Sequence, residues 1–268
     1  MLKSSPFPAA GYLRFPTDES LLAWARHARP FAEAAAKDET LAHWLRCAGT
    51  WFVGVDTLPN DSEGRVNSGP PLAGAAIDLI RKTPGLWLPL HRAQISVCYP
   101  DYPQPSPDET DTAYRFRLKR DAAHVDGLLA EGPDRRRYLR EPHAYILGIG
   151  LTAQSPNAAP LTVWEGSHVI MGEMFAKVFA GHPPAVWRGI DVTGPYQAAR
   201  REVFDSCRRV EIPTGPGEAV LLHRHLLHGV APWGEEATGE APGRMIAYFR
   251  PEFTDVSDWL DQAPPGAR

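Results

Sequence analysis

Gly217-Glu218-Ala219-Val220-Leu221-Leu222-His223-Arg224-His225-Leu226-Leu227-His228-Gly229-Val230 reads as two short apolar runs divided near Arg224. Each has the length of a β-strand, and neither is long enough to establish a helical period. Working outward, six more runs of the same kind occur at residues 93–99, 113–118, 144–152, 160–164, 209–212 and 244–249, beside 219–223 and 226–232. Eight short strands set apart by Gly and Pro clusters predict a mainly β fold with flanking helices: a double-stranded β-helix of the jelly-roll, cupin-like kind. Such a barrel closes its own edges and leaves a mouth between the sheets for a ligand.

The flanks read differently. In the first 87 residues, apolar side chains recur every three or four positions at 21–25, at 31–37 and at Leu41, Trp44 and Leu45, with Pro30 breaking one helix from the next. This region is expected to be a helical support, interrupted by a short buried strand at 51–55 and closed by a helix at 73–82. Residues 88–252 form the expected core, with a helical insertion at about 167–208 carrying helices at 169–180 and 196–208, and 263–268 as a frayed tail. No linker composition divides the 268 residues, so a single domain is expected.

Composition narrows the function. A 43% hydrophobic, 22% charged chain without a 20-residue apolar run is not expected to meet a membrane. A net charge of -4 gives no general attraction to nucleic acid. The N-terminal Met1-Leu2-Lys3-Ser4-Ser5-Pro6 has no secretory character, which points to the cytoplasm. Cys47, Cys98 and Cys207 are too few and too far apart for a disulfide framework or a thiolate zinc site. No pattern specifies an oligomeric state. Two basic stretches, Arg115 to Arg120 and Arg135 to Arg140, read either as solvated surface or as a rim that attracts an anionic small-molecule substrate.

His124-Val125-Asp126 supplies an imidazole and a carboxylate two residues apart, which a strand projects to one side. With a second imidazole they make the facial set that holds Fe(II) and leaves the opposite positions open for a co-substrate and O2. Three histidines compete to complete it. Period-two alternation puts His223 and His225 on one face and His228 on the other, and an interruption at Arg224 would change that register, so periodicity leaves the choice open. His168 reads as a structural hydrogen-bonding residue, and the remaining histidines lack ligand spacing.

Residues 90–252 resemble the phytanoyl-CoA dioxygenase family of Fe(II)- and 2-oxoglutarate-dependent oxygenases. The likeness rests on His124-Val125-Asp126, on Pro160-Leu161-Thr162-Val163-Trp164-Glu165-Gly166-Ser167-His168, and on the 217–229 segment ending Leu227-His228-Gly229. Two positions depart from the family pattern: Glu165 stands where Pro is usual, and Val230 where a hydroxyl residue often follows His-Gly. The resemblance implies that His124, Asp126 and His228 hold the iron. Arg244 and Arg250, six residues apart on one face of the last run, could each answer the far carboxylate of 2-oxoglutarate, and the resemblance implies Arg244, 16 residues beyond His228. It places Gln94 along the co-substrate pocket and His223 as a pocket or supporting residue, with Thr162 or Tyr248 replacing the missing hydroxyl. The implied activity is hydroxylation of an unidentified substrate, with O2 consumed and succinate and CO2 released. Asp126 favours hydroxylation over halogenation, since halogenating relatives carry a small residue there. Trp164, Trp187 and Trp233 offer an apolar wall. The alternatives are a cupin-like metal enzyme that does not use 2-oxoglutarate, and a non-catalytic jelly-roll binding protein.

Overall fold

A computed structural model describes residues 6–107, 109–240 and 242–260, so the tail expected at 263–268 lies outside the described residues. The strands are β1 (Tyr12–Phe15), β2 (Leu45–Arg46), β3 (Trp51–Gly54), β4 (Gln94–Cys98), β5 (Leu128–Glu131), β6 (Arg136–Leu139), β7 (Tyr145–Gly150), β8 (Leu161–Trp164), β9 (Arg209–Ile212), β10 (Ala219–His223), β11 (His228–Val230) and β12 (Arg244–Phe249). The α-helices are α1 (Glu19–Lys37), α2 (Ala75–Lys82), α3 (Asp111–Lys119), α4 (Ser167–Phe179) and α5 (Thr193–Ser206).

A large sheet in the order β1-β10-β7-β12-β4-β3-β2 faces a small sheet β11-β8-β9, and β5 and β6 form a separate hairpin. All the strand pairs are antiparallel. Following the chain, β4 lies in the large sheet, a single bridge from His124 to His228 extends the small one, β7 returns to the large, β8 and β9 to the small, and β10, β11 and β12 alternate. That path is the jelly roll expected from the eight runs.

Alternation assigns the faces. Ile146, Val220 and Leu222 of the large sheet meet Leu161, Val163 and Ile212 of the small one inside the barrel. The other face of the large sheet carries Phe52, Ile95, Val97, Met245, Ala247 and Phe249, in one core with the α1 residues Trp24, Ala25, Ala28 and Ala32.

Four sequence expectations change. The helices expected on either side of Pro30 are one helix, because Leu21, Trp24, Ala25, Ala28, Ala32 and Ala35 form an unbroken buried stripe across it. Pro30 and Arg26 are both exposed, so the Arg26 carbonyl that Pro30 leaves unbonded faces water rather than the core. The region of Leu41, Trp44 and Leu45 is a 3-10 turn, Glu39–Trp44, running into β2. Residues 113–118 are not a strand but part of α3, none of whose residues is buried. Strand alternation needs a face to bury, and here the Thr110 cap, Asp111 in the first turn and Arg117 and Lys119 in the last favour a helix. The first 87 residues also supply three strands of the large sheet, β1, β2 and β3, beside their helices. Among the described residues, no helix is long and apolar enough to cross a membrane.

His168, His223 and His225 cluster behind the large sheet, with ring centroids 4.9 Å and 5.2 Å apart in sequence and Trp259 4.4 Å from His225. Burial drives His168 down to about 4 and, joined by the Arg224 charge, pushes His223 and His225 well below the ordinary imidazole range. The fold therefore holds them neutral, whereas the unfolded chain protonates them near pH ~6.5. As pH falls from about 6.5 towards 4 the unfolded state gains protons the folded state refuses, so stability is lost in that window. Urea unfolding at pH 7 and pH 5 should show a loss of at least about 2 kcal/mol at the lower pH, with a flatter profile in His225→Phe.

Candidate metal centre

His124 and His228 are joined through their backbones. His124 N donates to His228 O at 2.8 Å and His228 N to His124 O at 3.0 Å. A pair that exchanges both bonds projects its two side chains to the same face. Here that face is the barrel interior, where the neighbouring β8 residue Val163 also points.

Each ring is then oriented in the same way. His124 Nδ1 lies 3.0 Å from Ala122 O and His228 Nδ1 lies 2.9 Å from Leu226 O. A carbonyl oxygen only accepts, so each Nδ1 carries the hydrogen and each Nε2 presents its lone pair. Asp126 Oδ1 faces both, 3.1 Å from His124 Nε2 and 3.7 Å from His228 Nε2. One ligand atom from each of the three residues lies within 4.8 Å of the others. Adjacent octahedral ligands are roughly 3 Å apart when each bond is about 2.1 Å, so a modest contraction closes this set on one ion.

Electrostatics favour a cation at that point. Burial lowers His228 to about 4, against the pull of Asp126, so its ring is neutral at pH 7. Burial alone would raise Asp126, but the Arg250 charge, then His124 and His228, hold it well below the usual carboxylate range. Arg250 Nη1 sits 3.3 Å from Asp126 Oδ2, leaving Oδ1 turned towards the histidines. Two lone pairs and a carboxylate oxygen thus converge, while the Arg250 guanidinium sits on the other oxygen of Asp126.

Surrounding elements hold this loop. Tyr196 Oη accepts from Val125 N at 3.0 Å and Arg200 Nη2 donates to Ala123 O at 2.8 Å, both from α5. Ser167 Oγ, from the Gly-Ser-His run, accepts from Leu227 N at 2.9 Å and fixes the residue before His228. Gly229 is required because a Cβ there would stand 2.2 Å from Asp121 O. Gly127, at φ +82°, ends the loop where a Cβ would lie 2.1 Å from Glu141 O.

The three residues open onto a cavity of about 430 Å³ that also admits Gln94, Tyr248, Val230 and Arg250. Arg244, at the opposite end of β12's inner face from Arg250, is 1% exposed and does not itself line the cavity, which it meets through Tyr248. Its Nη2 reaches Tyr248 Oη at 3.4 Å, while Nε and Nη1 have no hydrogen-bond partner. Cys98, beside it, is pushed up to about 12 by burial and so offers no counter-charge at pH 7.

The structure does not bring every expected residue here. His223 lies behind the large sheet, packed on Phe7, His168 and His225, and does not line the cavity. Thr162 is fully buried but sits on the face of β8 opposite Leu161 and Val163, so Tyr248 is the hydroxyl nearest Arg244. Trp164 packs on Phe204 and Trp187 on Phe179, and neither they nor Trp233 line the cavity; Trp44 and Trp51 do. The basic stretches also miss it: Arg117, Arg136 and Arg140 are engaged by Glu109, Asp191 and Glu131. Sequence reasoning weighed Arg250 only for the co-substrate carboxylate and missed its place beside Asp126, and it missed Glu141 as a lining residue. For Arg250 a signal existed, since it shares the β12 face with Arg244 and Tyr248.

No family model matches the sequence, and no curated protein matches it. Several solved structures are similar to it over most of its length. SnoK, a non-heme alpha ketoglutarate dependent carbocyclase from nogalamycin biosynthesis, matches over 90% of this chain and 79% of its own, with TM-score 0.49 and 16% identity. EctD from S. alaskensis, with 2-oxoglutarate and 5-hydroxyectoine, matches over 90% and 71%, with TM-score 0.44 and 15% identity. The epimerase SnoN from nogalamycin biosynthesis, in complex with Fe3+, alpha ketoglutarate and nogalamycin RO, matches over 97% and 88%, with TM-score 0.45 and 14% identity. At such identities and scores, activity has to be argued from the side chains.

Arg250→Ala should weaken divalent-metal binding by about tenfold or more, because outer partners of ligating carboxylates carry that much affinity. Titration with Co(II), followed in its visible spectrum, measures this. Arg250→Lys should recover part of the loss, and an unchanged affinity in Arg250→Ala would refute the role.

Proposed function

We propose that the protein is an Fe(II)- and 2-oxoglutarate-dependent dioxygenase that hydroxylates a small organic molecule with release of succinate and CO2. The observation that carries this reading is the pairing of the His124, Asp126 and His228 set with a buried guanidinium, Arg244, that has two nitrogens unanswered and meets the cavity-lining Tyr248 on the inner face of the same sheet. A buried cation without a counter-ion costs several kcal/mol. A dicarboxylate that reaches from the metal to Arg244 removes that cost, and Tyr248 adds a hydroxyl at the same end. A cupin-like metal enzyme without 2-oxoglutarate, or a binding module, would leave the Arg244 charge unexplained. Membership of the phytanoyl-CoA dioxygenase family belongs to the same proposal. It is supported by the roles of Ser167 and Gly229, two residues of the resembling motifs, beside the ligands.

Fe(II) with 2-oxoglutarate and O2 supplies the oxidising chemistry that the polypeptide's own groups lack. The polypeptide contributes placement. His124, Asp126 and His228 fix the metal on one side of the cavity, so co-substrate and substrate approach from the other. Their backbone pairing and the Nδ1 bonds set the direction of each Nε2 before any ligand arrives. Arg250 keeps Asp126 ionised and oriented through Oδ2. Val230, Ile146 and Leu161 line the interior with apolar surface and limit the water near the metal.

Purified protein given Fe(II), ascorbate and 2-oxoglutarate labelled at its 1-carboxyl should release labelled CO2 and form succinate. His124→Ala should reduce the rate by at least about a hundredfold, in line with removal of a group that acts as part of a unit. Undiminished turnover in that variant would exclude the assigned centre.

A further inference from the structure

One side of the metal cavity is apolar and carries none of the three metal-site residues. Trp44, Trp51, Val53 and Val55, from the segment around β2 and β3, form it together with Leu129 of the β5 hairpin. Leu129 is 44% exposed, so the apolar surface reaches the rim there. Trp51 is fixed in place: its Nε1 donates to Ser96 Oγ at 3.0 Å, and Tyr102 stands edge-on to it with centroids 5.7 Å apart. Its one polar atom is already used, and what it offers the cavity is ring surface.

The ionised groups lining the cavity are answered locally. Asp121 pairs with Arg209, Asp126 with Arg250, and Glu141 with His143. Among the described lining residues the guanidinium, Arg250, is already held by Asp126, so an anionic substrate group finds no free cation there. Arg244 does not line the cavity and lies in the same row of the large sheet as Cys98 and Trp51.

Resting on the oxygenase reading for the word substrate, we propose that the substrate is an uncharged, ring-bearing apolar molecule. It covers Trp44, Trp51 and Leu129, and does not bind through an anionic group. Covering such side chains returns to the complex the apolar surface that they expose to water.

Isothermal titration of the metal-loaded protein with 2-naphthol, 2-naphthalenesulfonate and 2-oxoglutarate tests this. 2-Naphthol should bind at least about tenfold more tightly than the sulfonate. Trp44→Ala and Leu129→Ser should each weaken it several-fold, with thermal unfolding and 2-oxoglutarate affinity unchanged, whereas Arg135→Glu should leave the preference intact. Equal or tighter binding of the sulfonate, no binding of 2-naphthol at millimolar concentration, or indifference to both wall substitutions would overturn the proposal. If 2-oxoglutarate binds but the naphthol preference is missing, only the substrate class fails. If the preference is present without metal-dependent 2-oxoglutarate binding, the oxygenase reading fails and the ligand class stands.

Discussion

The mutual backbone hydrogen bonds of His124 and His228 are the constraint on which the site depends. They pair two residues about a hundred positions apart in the chain, complete the small sheet at its edge, and place both imidazoles on the inner face of the barrel. Asp126 follows because the chain turns at Gly127 immediately after the bridge. The surrounding contacts protect this pairing. Ser167 holds Leu227, Tyr196 holds Val125, and Arg200 holds Ala123, so the helical insertion braces the metal loop from outside.

Two arginines divide the electrostatic work along β12. Arg250 stands at the metal end and answers one oxygen of Asp126, while Arg244 stands six residues away, buried, with two nitrogens unanswered. The first stabilises a ligand that is already charged. The second is a charge that the polypeptide does not neutralise by itself, since Cys98 is protonated at neutral pH. The difference between them is what turns a metal site into a site for a metal and a dicarboxylate.

Much of this was legible in the sequence where local rules and tertiary demands agree. Runs 219–223 and 244–249 are strands whose near-continuous burial matches a sheet with a core on each face, and 209–212 is one whose Val210 and Ile212 face the barrel while Arg209 and Glu211 are exposed. Residues 113–118 showed a similar alternation without a face to bury, and capping residues decided for a helix. The second barrel strand therefore shrank to one bridge at His124, which no periodicity signals. The β5 hairpin was hidden for a related reason. Its connecting residues, Gly132 and Arg135, take left-handed conformations, and its charged composition reads as a loop. Likewise the cavity wall was sought in Trp164, Trp187 and Trp233, whereas Trp44 and Trp51 reach it because β2 and β3 extend the large sheet beyond β4.

The central claim is that the His124, Asp126 and His228 centre and Arg244 are two ends of one site. Calorimetric titration of the metal-loaded protein with 2-oxoglutarate and with 2-oxobutyrate, which lacks the distal carboxylate, in wild type and in Arg244→Met measures that coupling directly. Wild type should prefer 2-oxoglutarate by at least about tenfold, as expected when a buried charge gains its counter-ion, and the preference should collapse in the variant. Equal affinities in wild type, or a preference that survives the loss of Arg244, would contradict it.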